Sequence, residues 1–462
     1  MVNLSLILLL LLHILLLSQL KFTAWPEMLS YPYLFSNNFL PYKDFVIPYT
    51  PLLVVILSFV FNIFGFSTEV LKILTWVILL INDLIIFLIL KQISKKDLLN
   101  LFILAIYIFL SSFLDGNMLW VDNTTVTPTL LFSYFGIIWI KEKKLSNFFM
   151  TAFFLSLTIL IKQIAIVYLG FFIIFCLSLR KIDLKEILIF FAGLLIPIFL
   201  FFMYLISNNI PWEFYNWTLY YPLVFWRNFP GYVDFQITKT EIFILLFLLS
   251  LILLPLVNFK RFLDKKEPLF IILTLIAALI AVYPRFSFFH LQAALALGII
   301  LFTFIYVNID TKYRNWLLAY VLLVILTVFF LLRNQVFSQE IRFYSPDDRK
   351  LSIDIERILQ GEKKTYFLGL NSSQYVFTNT IPPKPWIEGF LWYMESPGVQ
   401  DLFIEGLENE KPNFIFVKKP VNGNWFDLET YQPKGVMSYI FNNYSVSEII
   451  NGDIEVWKRK KE

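Results

Sequence analysis

Long apolar stretches recur between Leu4 and Leu332, and they constrain the fold of this 462-residue chain more than any other feature. A helix that crosses the ~30 Å hydrocarbon core of a bilayer needs roughly 20 mostly apolar residues, with about 17 as a lower limit. The chain is 58% hydrophobic, which is more than soluble domains usually contain, so the stretches predict an α-helical polytopic membrane protein. We predict eleven spans, at 4–20, 69–90, 98–114, 124–140, 146–162, 164–179, 186–207, 241–258, 268–284, 291–307 and 316–332.

The run 50–66 is also long enough to cross, but the distribution of Lys and Arg argues against counting it as a span. Without it, five basic clusters that hold fifteen residues share one side, whereas the opposite short loops hold six. The positive-inside rule assigns the richer side to the cytoplasm. We therefore expect 50–66 to lie at the outer surface or to re-enter the bilayer. The five clusters are Lys91/Lys95/Lys96, Lys141/Lys143/Lys144, Arg180/Lys181/Lys185, Lys260/Arg261/Lys265/Lys266 and Lys312/Arg314.

This charge distribution predicts a multi-pass protein of the plasma membrane with its N-terminus in the cytoplasm. The long loops 21–68 and 208–240 then face outward, as does the C-terminal tail. The first apolar stretch, 4–20, lacks the basic start and the small-residue cleavage site of a signal peptide. We expect it to be retained as a span.

The C-terminal tail alternates predicted helices with predicted strands. The stretch 347–360 is amphipathic at helical spacing, whereas 365–370 and 413–419 have the composition of strands. Such alternation is typical of a small α/β domain. We therefore divide the chain into a transmembrane domain, 1–332, and an extracytoplasmic α/β domain, 333–462.

The composition excludes several kinds of site. A single cysteine, Cys176, excludes a disulfide within the chain and a cysteine-based metal site. Only two histidines, His13 and His290, are present, and the net charge of +4 gives no sign of nucleic-acid binding. Asp83 lies inside a predicted span, where we expect it to serve helix packing or to mark the cytoplasmic edge.

Three carboxylates lie in loops that the charge distribution places outside. Asp44 lies among aromatic residues in the charge-poor stretch "YPYLFSNNFLPYKDF", and Glu27 is the second acid of the same loop. Asp122 lies in the next outer loop. A carboxylate that has lost part of its hydration is a better proton acceptor. We therefore take Asp44 as the leading candidate for a general base, with Glu27 and Asp122 in support.

Basic side chains gather on the same side. Lys162 and Gln163, in "ILIKQIAIV", fall between two apolar runs with almost no loop, and Arg285 and His290 lie in "YPRFSFFHLQ". A cation costs ~2.5–3.5 kcal/mol at the bilayer centre, so Lys162 either serves a function or extends its ammonium to the interface. Lys and Arg can hold a phosphate and stabilise its charge as it leaves. Together with a base, these residues fit glycosyl transfer from a lipid phosphate.

Three segments resemble, in the same order, motifs of the GT-C membrane glycosyltransferases. They are "NNFLPYKDFVIPYTPLLVVILSFVFNIFGFS", "FFLSLTILIKQIAI" and "YPRFSFFHLQAALAL". The chain is most similar to the protein O-mannosyltransferases and the aminoarabinose transferases that act on lipid A, over most of residues 20–300. The resemblance implies an inverting hexosyl or pentosyl transfer from a polyprenyl-phosphate sugar at the outer face, with a first-loop carboxylate as base.

The first loop departs from this family pattern at two points. Asp44 matches the later acid, whereas Glu27 matches the second member of an acidic pair whose first position is Pro26 here. The resemblance therefore leaves open which carboxylate is the base. Some relatives have a lysine before a double proline, where this chain has Tyr49-Thr50-Pro51.

Binding of the donor phosphate accordingly falls to Lys162 and Arg285, with His290 and Gln163 as weaker neighbours. Asp122 matches an acid that the family has in its second outer loop. We predict no cofactor and assign no metal ligands, and the resemblance leaves open whether a divalent cation takes part. The expected partners are a polyprenyl-phosphate-linked sugar, an acceptor protein, lipid or glycan of the cell envelope, and membrane lipids, but no nucleic acid.

Two other functions stay open from the sequence. A flippase or transporter of polyprenyl-linked glycans would carry charges along a central path and internal repeats with broken helices. The sequence has no clear internal repeat, and its charges gather at one face, so we favour the enzyme. A polysaccharide polymerase or ligase would share the lipid-linked donor but join longer glycans.

Overall fold

A computed structural model describes residues 2–179, 183–255, 265–420 and 431–460. Most of the described chain is helical, and a four-stranded sheet lies near the C-terminus. Two predicted basic clusters lie partly outside the described residues, at 180–181 and 260–261. The end of the predicted span 241–258 lies outside them too.

Each span predicted from the sequence coincides with a helix, as far as the chain is described. Five helices are long and apolar enough to cross a membrane, namely Thr68–Ile93, Asp97–Gly116, Leu184–Ser207, Phe288–Asn308 and Thr311–Val336. These five helices are consistent with a multi-pass membrane protein, whereas the count of eleven spans stays a prediction. The other helices at predicted spans are Val2–Gln19, Val121–Glu142, Leu145–Ile161, Ile166–Ser178, Lys239–Leu253 and Lys266–Ile280.

The run 50–66 forms a shorter helix, Leu52–Phe64, of 13 residues. Pro51 precedes its first turn, and Gly65 ends it at φ 91°, a backbone angle that favours glycine. At 13 residues it is as long as helix Ile166–Ser178, which coincides with a predicted span, so its placement at the outer surface stays a prediction that rests on the loop charges. One face is buried, whereas Phe59 and Phe64 on the other are more than two-thirds exposed.

The chain divides into two compact units, each built from three separate segments. The first unit comprises Met1–Phe22, Lys72–Tyr204 and Phe235–Glu340, and the second comprises Thr23–Leu71, Leu205–Asp234 and Ile341–Glu462. The second unit therefore unites the first long loop, a later loop and the tail. The predicted domain boundary after residue 332 falls shortly before the last of these segments.

Helix Gln292–Asn308 forms the centre of the first unit and is buried from Gln292 to Ile305. Small side chains allow its neighbours to approach closely, as is common between membrane helices. A β-carbon added at Gly298 would lie 2.7 Å from Leu248 Cδ2. The short turn that precedes this helix, Phe288–Leu291, carries His290 and contacts the segment Ser112–Gly116 and helix Val121–Glu142.

The sheet of the second unit has the strand order Thr365–Leu368, Phe414–Lys418, Ile454–Arg459 and Tyr444–Ile450. The first pair is parallel and the other two pairs are antiparallel. Two further strands, Phe22–Thr23 and Ile341–Arg342, have two residues each. The helices of this unit are Glu27–Ser36, Leu52–Phe64, Pro211–Tyr215, Tyr221–Val224, Pro346–Leu359, Ser373–Phe377, Leu391–Met394, Val399–Glu410 and Lys434–Asn443.

Candidate functional site

Lys162 of the first unit forms a buried ion pair with Asp122. Its backbone is extended, at φ −140° and ψ 115°, because helix Leu145–Ile161 ends there and a 3₁₀ turn, Gln163–Ala165, begins. The ammonium donates to Asp122 Oδ1 at 2.5 Å and to the Ala281 carbonyl oxygen at 3.0 Å. Both charged side chains are 6% exposed. The lysine is thus held inside the unit by two acceptors and is not extended into solvent.

Asp122 lies in the first turn of helix Val121–Glu142, where the partial positive charge of the helix end stabilises a carboxylate. Its Oδ1 accepts from Lys162, and its Oδ2 lies 3.7 Å from His290 Nε2. Oδ2 has no hydrogen-bond partner among the described residues. One oxygen of Asp122 is therefore committed to the lysine, and the other faces an imidazole across a gap that is too long for a hydrogen bond.

His290 and Arg285 complete this cluster. His290 Nδ1 lies 2.6 Å from Ser287 Oγ, which fixes the ring with Nε2 toward Asp122. The guanidinium of Arg285 lies close enough to act electrostatically on the imidazole, as do Lys162 and Asp122. Fold packing thus brings Asp122, Lys162, Arg285 and His290 together, with Gln163 next to Lys162 in the chain. We call these five residues the basic cluster.

A second cluster, in the other unit, is made of two buried glutamates. Glu27 is 7% exposed and Glu388 is 4% exposed. Burial raises the pKa of Glu27 to about 7. Burial and the neighbouring charge of Glu27 raise the pKa of Glu388 well above its usual range. Because two carboxylates out of contact with water repel each other when both are ionised, the pair favours a state that retains a proton.

Tyrosines surround the two glutamates. The hydroxyl of Tyr31 donates to Glu388 Oε2 at 3.5 Å, and the Ser372 hydroxyl also bonds to this carboxylate. Burial and the charges of both glutamates raise the pKa of Tyr31 and Tyr393 well above 10, so these phenols stay neutral. Glu27 Oε2 lacks a hydrogen-bond partner within the described chain. We call Glu27, Glu388, Tyr31 and Tyr393 the acidic cluster.

Asp44 has a different environment in the same unit. Its Oδ2 accepts from the Lys384 ammonium and from the Leu40 backbone N–H, both at 2.9 Å. Its backbone carbonyl accepts from the N–H of Trp386 at 2.8 Å. The Asp44 side chain is 20% exposed and that of Lys384 is 36% exposed. Asp44 therefore joins the first loop to the tail segment around Trp386.

The described ranges contain no group of three or more His, Cys, Asp or Glu side chains placed to hold a metal ion. The acidic cluster supplies only two carboxylates, and the basic cluster only one carboxylate and one imidazole.

Two of the solved structures that match this chain cover almost all of it, and both are of ArnT from Cupriavidus metallidurans. The structure bound to undecaprenyl phosphate has 11% sequence identity and a TM-score of 0.57, over 99% of this chain and 97% of that chain. The apo structure has 10% identity and a TM-score of 0.56 with the same coverage. The chain has the ArnT fold. No family model and no curated protein matches it.

ArnT is a lipid A aminoarabinose transferase, a GT-C enzyme. The resemblance that the three sequence segments predicted is thus confirmed for the fold. In this chain the residues 122, 162 and 290 lie together, although they are far apart in the sequence.

The sequence did not single out Glu388, which the ArnT fold of this chain buries against Glu27. A signal was present, because Glu388 is the only charged residue in the aromatic stretch "PWIEGFLWYM". The same kind of surroundings drew attention to Asp44 in the first loop. The sequence predicts the tail as a separate α/β domain, 333–462, and places no site residue in it.

Proposed function

We propose that this protein is an inverting glycosyltransferase that moves a sugar from a polyprenyl phosphate to an acceptor hydroxyl. The observation that carries the proposal is the basic cluster, in which Lys162 and His290 face the buried carboxylate of Asp122 and Arg285 lies near His290. Its support from comparison is the ArnT fold, since one ArnT structure contains undecaprenyl phosphate. We place the reaction at the outer face of the plasma membrane, in a chain with eleven spans and an outward-facing tail.

The basic cluster suits a phosphate whose charge increases during the reaction. When the bond between the sugar carbon and the phosphate oxygen breaks, its electron pair stays on that oxygen. Lys162 and Arg285 provide fixed positive charge for the leaving phosphate, and such preorganised charge lowers the barrier. Two acceptors, the Asp122 carboxylate and the Ala281 carbonyl oxygen, hold the Lys162 ammonium in place. His290 Nε2 offers a further donor when protonated, and Gln163 stands beside the lysine.

The acceptor hydroxyl must lose its proton as its oxygen bonds to the sugar carbon. Asp44, Glu27 and Asp122 are the candidates for this base. The pKa of Glu27, raised to about 7 by burial, suits a proton acceptor that works near neutral pH. Asp44 and Asp122 are each paired with a lysine. We therefore place Glu27 ahead of Asp44 as the base.

The acceptor is an envelope protein, lipid or glycan, and the proposal uses no resident cofactor. A divalent cation stays outside the proposed steps. A polymerase or ligase would use the same donor, and the products distinguish it from an enzyme that adds one sugar.

The test uses membranes that contain the protein and a panel of polyprenyl-phosphate sugars. We expect wild type to release free polyprenyl phosphate with at least one donor, and Lys162→Ala and Arg285→Ala to lose that release. Lys91→Ala is the matched control, because Lys91 is a half-exposed lysine in a predicted cytoplasmic cluster. Release that is unchanged in both basic-cluster variants would remove the phosphate assignment. Movement of intact lipid with no release would favour a flippase.

A further inference from the structure

Three polar side chains from three helical segments meet inside the first unit. His13 Nδ1 lies 2.6 Å from Asp83 Oδ2, and His13 Nε2 lies 3.1 Å from Ser112 Oγ. All three residues are at most 2% exposed. Polar groups at such depth are costly, and ionisable ones within membrane helices usually serve a function. The expectation that Asp83 serves helix packing therefore describes only part of its role.

The order Ser–His–Asp is also that of a nucleophilic triad. Ser112, however, is closed to any substrate at 2% exposure. The contact with Asp83 Oδ2 at Nδ1 orients the imidazole ring so that Nε2 lies toward Ser112. Together, the three side chains hold the backbone at Ser112 in place.

That backbone is irregular. Helix Asp97–Ser111 continues into a π-helical turn, Ser112–Gly116, with non-helical angles at Leu114 (φ −103°, ψ 55°) and Asp115 (φ 56°, ψ 30°). Such turns often occur at functional sites. The Gln292 side-chain amide donates to the Leu114 carbonyl oxygen, and Gln292 Oε1 accepts from Ser111 Oγ at 2.8 Å. The turn is thus held by His13 through Ser112 and by Gln292 through Ser111 and Leu114.

Gln292 links this turn to the basic cluster. The turn Ser112–Gly116 packs against the turn Phe288–Leu291, and Gln292 follows directly after the latter. His290, two residues before Gln292, is the residue that faces Asp122. A displacement of Ser112–Gly116 would therefore move the backbone that carries His290.

We propose that His13 is a positioning residue for the basic cluster. It bridges Asp83 and Ser112, fixes the turn Ser112–Gly116, and through Gln292 sets the position of His290 relative to Asp122. The catalytic part of this inference rests on the proposed function, whereas the structural part does not.

Four variants test it in the full-length protein. His13→Asn keeps an amide near Asp83, in the position of Nδ1, but removes the contact with the Ser112 hydroxyl. Ser112→Ala removes the same contact by deleting that hydroxyl. His13→Gln keeps an amide near Ser112. The matched control is Ser133→Ala, because Ser133 is fully buried in the same unit and, within the described ranges, its hydroxyl bonds only to the Thr129 carbonyl four residues earlier.

The first readout is hydrogen exchange of the peptides 111–117 and 286–292. We expect His13→Asn and Ser112→Ala to speed exchange in both peptides, and His13→Gln and Ser133→Ala to leave 286–292 as in wild type. The second readout is release of polyprenyl phosphate. In the two variants that lose the Ser112 contact, kcat should fall about ten- to a hundredfold with KM unchanged, since a small misplacement of a catalytic group has this effect.

Unchanged exchange of 286–292 in both contact-losing variants overturns the inference. Faster exchange with an unchanged kcat overturns it as well, because the turn would then move without consequence for the reaction. If wild type releases no polyprenyl phosphate from any donor, the proposed function fails, and the exchange readout alone decides whether His13 positions the turn.

Discussion

The basic and acidic clusters place ionisable groups out of contact with water in opposite ways. In the basic cluster Asp122 faces a lysine, so each charge stabilises the other. In the acidic cluster Glu27 and Glu388 are like charges, and burial together with mutual repulsion favours the protonated forms. The opposite-charge pair holds a lysine at a fixed position, whereas the like-charge pair favours a retained proton. The first suits a binding site for an anion, and the second suits the uptake of a proton.

The largest expected effect comes from breaking the opposite-charge pair. Lys162→Met leaves the Asp122 carboxylate buried without its partner, and such a change typically costs about 3–5 kcal/mol of unfolding free energy. The double variant Lys162→Met/Asp122→Asn removes both charges and should recover most of that stability without recovering donor use. Thermal unfolding and release of polyprenyl phosphate measure the two quantities separately. Full donor use in the stable double variant would show that the cluster does not bind the phosphate.

The next-largest effect is the pH dependence of the unfolding free energy, to which the like-charge pair contributes. The folded protein holds the pKa of Glu27 at about 7, above its unfolded value of 4.5. The folded state therefore binds this proton more tightly than the unfolded state does. The stability that proton binding contributes is complete below pH 4.5 and is lost as the pH rises through 7. One pKa unit corresponds to about 1.4 kcal/mol, so the loss attributed to Glu27 between pH 4.5 and 7 is about 3 kcal/mol.

Glu27→Gln should flatten this part of the stability profile, measured as unfolding free energy from pH 5 to 8. Glu241→Gln is a control for a buried glutamate in the other unit, where the carboxylate caps a helix. A steep profile that persists in Glu27→Gln would assign the titration to another group.

Activity should depend on pH with the opposite sign. If Glu27 is the base, it must be ionised, so kcat should rise as the pH increases through about 7. Glu27→Gln should lower kcat by about 10²–10⁴-fold, the usual contribution of general acid–base catalysis. The pH dependence of donor release measures this. A full rate in Glu27→Gln, together with a loss in Asp44→Asn, would return the role of base to Asp44.

The smallest effect is expected at the pair Asp44–Lys384, which is neither deeply buried nor like-charged. Both side chains reach solvent, with 20% and 36% exposure. A double-mutant cycle of Asp44→Asn and Lys384→Met should give a coupling of about 0–1 kcal/mol in thermal unfolding. A coupling energy as large as that of Lys162 and Asp122 would mean that solvent exposure does not explain why one ion pair stabilises the fold more than the other.

Much of the helical structure followed from the sequence, because a membrane imposes a minimum apolar length on every crossing helix. Helix Leu52–Phe64 was separated from the spans by the charges of the loops alone. Strand Tyr444–Ile450 was missed, since only its two end residues are buried and its pattern shows no alternation. The lengths of the helices thus followed from the sequence better than the order of the sheet did.

The candidate sites followed from the sequence only in part. Lys162 and Gln163 were recognised because they interrupt an apolar run, but their convergence with Asp122 and His290 depends on contacts between distant segments. The family resemblance grouped them, and the fold brings them together. Glu388 and the contact of His13 with Asp83 were missed, because a lone polar residue in an apolar stretch does not reveal its partner.

The discontinuous composition of the second unit has a consequence for biogenesis. Glu27 emerges from the ribosome before helix Thr68–Ile93, whereas Glu388 emerges only after helix Thr311–Val336. On the predicted topology, the first outer loop is therefore translocated and exposed until the segment that contains Glu388 has also been made. During that interval its aromatic surface is open to chaperones and proteases of the compartment it enters. A ribosome that stalls before Glu388 would leave an inserted protein without its acidic cluster.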